Sequence, residues 1–162
     1  MTMHSLLIRR DDGSLHRASS EEILKAARAV LEHRVRRGAP LQSPRKVAEY
    51  LSARVGHLDH EVFGMILVDG RQRVIECIEL FRGTLDGASV HPREVVKLAL
   101  LKGAASCIAW HNHPSGVQDQ SQADEIITVR LKEALTTVDI RLQDHLILAG
   151  PNFLSFSERG LM

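Results

Sequence analysis

The hydrophobic pattern changes period near residue 60. Before it, apolar residues recur at helical spacing. "SSEEILKAARAVLEHRVRRG" places Ile23, Leu24, Ala27, Val30, Leu31 and Val35 on one stripe, with Ser19 and Glu22 at capping-box spacing and Gly38 as the stop. "SPRKVAEYLSARVG" predicts a second, shorter helix capped by Ser43 with Pro44 at its first position. From residue 60 the runs shorten and become β-rich. "HEVFGMILVDG" and "QRVIECIELFRG" flank Asp69-Gly70 and predict a hairpin. A helix over "HPREVVKLALLKG", opened by Pro92 and closed by Gly103, leads to a short apolar strand, "AASCIAWH". "SQADEIITVRLKEALTT" predicts another helix, and "IRLQDHLILAG" and "NFLSFSE" two further strands. The order β-β-α-β-α-β-β is that of an α/β domain, a mixed sheet with helices packed on it.

With 162 residues, 44% hydrophobic and 25% charged, the chain has the material for one globular core. No run approaches the roughly 18 apolar residues of a membrane helix. The start, "MTMHSLLIRRDDGS", has no apolar stretch behind a basic segment, so a cytoplasmic address is expected. Cys77 and Cys107 both sit in apolar runs, which predicts buried free thiols rather than a disulfide. Net charge is +1, but residues 1–54 carry eleven Lys/Arg against six Asp/Glu, and the remainder is acidic. The basic part, with "EHRVRRG", allows a weak contact to nucleic-acid phosphates, and it equally fits the solvated face of an amphipathic helix.

The chemistry concentrates in "HNHPSGVQDQSQAD", residues 111–124. On a strand, His111 and His113 point the same way, about 6–7 Å apart at Cα, so both imidazoles can reach one ion. Pro114 and Gly116 break the strand and let the chain return, bringing Asp124 in the first turn of the next helix to the same point. Two nitrogens and a carboxylate leave the fourth position of a tetrahedral zinc for water, the arrangement of a catalytic rather than a structural site. Each piece also has a plainer explanation. His-x-His fits two surface or core histidines, and Ser121 with Asp124 fits a helix N-cap that needs no metal. A hydrolytic site needs a base from another segment, and Glu61 in "HEVFG" is the candidate, although alone it reads as an exposed carboxylate at a strand start.

Taken together, Glu61, His111-x-His113-Pro114 and Ser121-x-x-Asp124 resemble the motif of the JAMM (MPN-plus) zinc metalloproteases. "GTLDGASVHPREVVKLAL", "HNHPSG" and "DHLIL" are similar, more narrowly, to the RadC-type members of that fold. The likeness runs from about residue 43 to the C-terminus. The resemblance implies a zinc held by His111, His113 and Asp124, with Glu61 as general acid/base and Ser121 donating a hydrogen bond to an oxyanion. It also implies a curved mixed sheet flanked by helices, the JAMM/MPN, cytidine-deaminase-like sandwich. The expected organisation is a helical segment over residues 1–42 and a RadC-like JAB/MPN domain over 43–162. The expected function is hydrolysis of a peptide or isopeptide bond, with the substrate protein unknown; the alternative is a RadC-like DNA-repair or DNA-processing accessory of mobile elements. Two departures stand out. The chain is expected to lack the N-terminal helix-hairpin-helix region of longer RadC proteins and is similar to the short form. Gln120 stands where RadC sequences usually have Pro, which is expected to loosen the loop without removing a ligand. Outside the motif, His91 fits either a helix cap or a cleft wall, Asp144 and His145 a structural hydrogen-bonding pair, and Trp110 packing.

Overall fold

The computed structural model describes residues 6–10, 12–36, 43–83 and 90–162. Its elements run β1 (Leu7–Arg9), β2 (Leu15–Arg17), α1 (Ser20–Arg36), α2 (Pro44–Val55), β3 (Val62–Val68), β4 (Val74–Arg82), α3 (Pro92–Leu101), β5 (Ser106–Asn112), α4 (Gln122–Thr136), β6 (Arg141–Ala149) and β7 (Asn152–Ser155). From β3 onward the predicted order is the observed one. The small β1–β2 hairpin was not anticipated; Gly13, at φ +83°, turns it. The predicted stop at Gly38, the 42/43 boundary and most of "GTLDGAS" lie outside the described residues.

Five strands form one sheet in the order β4-β3-β5-β6-β7. β5 is central, antiparallel to β3 and parallel to β6. Both faces are covered, which is why "VFGMILV" and "SCIAWHN" are buried at every position rather than alternating. Within each strand the alternation survives as a choice of layer. Val62, Ile66, Val68, Ile108 and Trp110 pack with Val47, Leu51 and Val55 of α2. Phe63, Met65, Leu67, Cys107 and Ala109 pack with Val95 and Ala99 of α3 and with Ile127, Leu131 and Leu135 of α4. His111 continues the second series and so faces the α3/α4 layer.

Local signals set most boundaries. Ser43 Oγ accepts from Lys46 N–H and caps α2, while the Ser19/Glu22 capping box opens α1. On α1, which lies against α2 and the edge strand β4, Leu24 is 38% and Val30 54% exposed. The hairpin turn also differs from the expected two-residue form. Asp69 Oδ1 accepts from Arg71 N–H and Arg73 N–H, and Gln72, not Gly70, takes the left-handed conformation, φ 61°. The Asp69 carboxylate thus closes a longer loop.

Gly64 pairs with Trp110 across β3 and β5. A β carbon at position 64 would overlap both the Trp110 ring and the Ile78 carbonyl oxygen. Gly64→Ala is therefore expected to lose about 1–3 kcal/mol or more, as overpacked cores do, measured as a lower denaturant midpoint. Both cysteines are free and buried. Burial pushes the Cys77 thiol up to about 11 and the Cys107 thiol up to about 12. Neither should react with an aromatic disulfide reagent in the native protein at neutral pH, and both should react once guanidinium unfolds it.

Candidate metal centre

The site forms where β5 leaves the sheet. His113 N–H still donates to Leu148 O of β6 at 2.7 Å, and Pro114 then ends the strand. Gly116 N–H returns to His113 O at 3.0 Å, and its φ of +76° is one that glycine adopts without strain. The Gln118 amide donates to the Phe153 carbonyl, holding the loop against β7. The chain re-enters regular structure at α4, capped by Ser121.

The helix cap also orients the Asp124 carboxylate. Ser121 Oγ accepts from Asp124 N–H at 3.2 Å, and Asp124 Oδ2 accepts from Ser121 N–H and Ser121 Oγ–H, both at 2.8 Å. This capping box consumes one carboxylate oxygen and aims the other. Asp124 is fully buried, and its Oδ1 has no hydrogen-bond partner. That oxygen lies 3.3 Å from His111 Nε2, which is itself 3.0 Å from His113 Nε2. His113 Nδ1 lies 2.7 Å from Val117 O. A carbonyl only accepts, so Nδ1 of a neutral His113 carries the proton and its Nε2 presents a lone pair.

His111, His113 and Asp124 each contribute an atom to a set lying within 4.8 Å, the one such group of three or more His, Cys, Asp or Glu among the described residues. The donor set fits a metal. Ligand bonds of about 2.0–2.1 Å in a tetrahedron put neighbouring ligand atoms roughly 3.3 Å apart, close to the 3.0 and 3.3 Å that separate His111 Nε2 from His113 Nε2 and from Asp124 Oδ1. The orphaned, buried Asp124 Oδ1 is the atom such an ion would satisfy.

A second layer surrounds these residues. His145 is fully buried; its Nε2 lies 2.9 Å from His111 Nδ1, and its Nδ1 2.6 Å from Thr128 Oγ1. Phe63 meets the His145 ring edge-on and Phe156 stacks on it. Burial, opposed by Asp124 and reinforced by His113, holds His111 at about 4. Burial, then the two neighbouring imidazoles, keeps His145 well below its ordinary value. Both rings are thus neutral at physiological pH, the state in which imidazole binds metals.

Glu61 is half-buried and immediately precedes β3. Phe63 pairs with His111, so Glu61 and His113 both lie two residues beyond that pair, at one end of the sheet. Its carbonyl accepts from Gly83 N–H at 3.0 Å. The Asn112 carboxamide holds the peptide groups on both sides: Oδ1 accepts from Val62 N–H at 2.8 Å, and Nδ2 donates to His60 O at 3.0 Å. Asn112 and Thr128 were not singled out from sequence, because what they do depends on partners remote in the chain or on a second side chain's protonation.

The remaining candidates have ordinary places. His91 occupies the α3 N-cap position without a side-chain cap bond and stands edge-on to Phe81. Asp144 accepts from His145 N–H, Ser157 N–H and Ser155 Oγ–H, which ties β6 to β7 and the C-terminal turn. Trp110 is core. Gln120 makes two long, exposed contacts, accepting from Arg159 and donating to Glu125, each at 3.4 Å.

Residues 41–161 match the family model of the RadC-like JAB domain. The chain is 49% identical over 150 residues to a UPF0758 protein of Marinobacter nauticus, covering 93% of this chain and 67% of that one. It is 53% identical over 139 residues to a UPF0758 protein of Nitrosococcus oceani, covering 86% and 62%. A third UPF0758 protein, from Stutzerimonas stutzeri, is 48% identical over 145 residues, covering 90% and 65%. The chain thus spans about two thirds of the length of these relatives. On the extent of these matches and on the fold they describe, the chain belongs to the family of RadC-like JAB domains.

Proposed function

We propose that the protein is a zinc-dependent hydrolase of peptide or isopeptide bonds, its metal held by His111, His113 and Asp124. The observation that carries this reading is the convergence of two imidazole nitrogens and one unsatisfied, fully buried carboxylate oxygen at one point. Zinc there would act as a Lewis acid and lower the pKa of water to about 7. Glu61, held from both sides by Asn112, is the proton carrier, accepting a proton from the attacking water and delivering it to the leaving nitrogen. Ser121 can donate to an oxyanion only by turning its hydroxyl away from Asp124 Oδ2, where it now points. The substrate is then a peptide or protein segment able to approach the exposed loop around Ser115 and Gly116. No described helix is long and apolar enough to cross a membrane. The DNA-processing alternative has the basic charge of residues 1–54 in its favour.

Two measurements test this reading. Metal analysis of the purified protein should give about one zinc per chain, and His113→Ala or Asp124→Ala should abolish binding, because two ligands compete poorly with water. Full zinc occupancy in both variants would remove the site. Glu61→Gln should keep the zinc and lower hydrolysis of a peptide or isopeptide substrate by roughly 10²–10⁴. Loss of zinc from this variant would make Glu61 a ligand; unchanged turnover would place the base elsewhere.

A further inference from the structure

The side chain behind His111 is another histidine, and behind that stands a threonine whose hydroxyl reaches the backbone of Asp124. His111 Nδ1 and His145 Nε2 are 2.9 Å apart. His145 Nδ1 and Thr128 Oγ1 are 2.6 Å apart, as are Thr128 Oγ1 and the Asp124 carbonyl oxygen. The chain therefore runs from one member of the triad to the main chain of another, through residues that are all buried.

We infer that Thr128 and His145 are positioning residues that fix the tautomer of His111, leaving its Nε2 bare toward Asp124 and His113. This rests on the reading of those three residues as metal ligands. The direction of every proton follows from the Asp124 carbonyl. Two oxygens 2.6 Å apart require a proton between them, and a carbonyl has none to give, so the Thr128 hydroxyl donates. Its single proton is then used, so His145 Nδ1 must donate to Thr128 Oγ1. A neutral imidazole has one donor and one acceptor, so His145 Nε2 accepts from His111 Nδ1–H. His111 Nε2 is thereby left with its lone pair facing the triad. Phe63 and Phe156 pack on the His145 ring, and the contacts of 2.6–2.9 Å along the chain are direct. Metal-ligating histidines commonly donate their second N–H to a carboxylate or carbonyl. Here a neutral histidine takes that place, and the carbonyl stands two bonds further on. That carbonyl belongs to Asp124, so the geometry of one ligand's main chain orients another ligand's ring.

The test compares wild type with Thr128→Val, which keeps shape and removes the hydroxyl, and Thr128→Ser, which keeps the hydroxyl. Long-range proton–nitrogen-15 NMR correlations report which His111 nitrogen is protonated, and chelator competition reports zinc affinity. In wild type without metal, His111 should carry its proton on Nδ1. Thr128→Val should lose that preference and bind zinc about 10- to 100-fold more weakly, while Thr128→Ser stays near wild type. His145→Gln, whose carbonyl oxygen can accept from His111, should retain more affinity than His145→Leu. A His111 proton on Nε2 in metal-free wild type, or wild-type affinity in both Thr128→Val and His145→Leu, overturns the inference. An Nδ1 proton lost only in Thr128→Val, in a wild type that binds no zinc, supports the relay and instead removes the metal reading above.

Discussion

The group that constrains this structure most is the Asp124 carboxylate, a charge with no solvent exposure. A buried ion is tolerated only when it is paired or hydrogen-bonded, and leaving even a neutral polar atom unsatisfied costs about 1–3 kcal/mol. One half of the requirement is met locally by the Ser121 capping box, a pattern whose caps contribute about 0.5–2 kcal/mol to helix stability. The other half is not met by any donor: Oδ1 has no hydrogen-bond partner and lies 3.3 Å from His111 Nε2. The first turn of α4, the end of β5 and the loop between them are arranged around that deficit. A metal ion held by His111, His113 and Asp124 would supply the missing partner.

The sheet topology explains why the deficit falls here. β5 is flanked by β3 and β6, and both faces of the sheet are covered, so a side chain on its α4-facing side enters a dry layer. Where β5 ends, the connection to β6 must pass through α4, because parallel neighbours cannot be joined by a tight turn. The carboxyl end of β5 and the amino end of α4 therefore meet, as they do at ligand crevices of other open α/β sheets. His111 lies on the dry side of this junction and His113 on the wet side, half-buried, with its ring pinned by Val117 O. One face of the cluster is thus rigid and enclosed, while the other opens on the loop.

The parts legible in the sequence are those with local causes. The i, i+2 spacing of the histidines, the Ser-x-x-Asp cap, the Pro44 helix start and the doubly buried apolar runs all act within a few residues, and each is where its pattern predicts. At Asp124 the helix cap does not exclude a metal ligand, since one carboxylate oxygen serves the cap and the other has no hydrogen-bond partner. What was not legible depends on distant or competing contacts. His145 reaches His111 across 34 residues, and Asn112 reaches Val62 across 50. The helical period of residues 23–35 predicts one apolar stripe, but period says nothing about whether a partner surface covers it, and Leu24 and Val30 are exposed. At the β3–β4 turn, Asp69-Gly70 promised a two-residue loop; the Asp69 carboxylate instead gathers two downstream amides and shifts the left-handed residue to Gln72.

The middle residue of the His-x-His motif completes the arrangement. Strand alternation sends Asn112 away from the two histidines, toward the neighbouring β3 chain, and its amide pairs with a donor and an acceptor there as a peptide group would. The ladder between β3 and β5 is thereby prolonged by a side chain just where β5 departs, and the residue held between the two contacts is Glu61. An apolar residue at 112 would satisfy neither Val62 N–H nor His60 O. Three consecutive residues at the end of one strand thus divide the work: His111 and His113 supply nitrogens to the triad, and Asn112 sets the backbone from which a carboxylate of another segment projects.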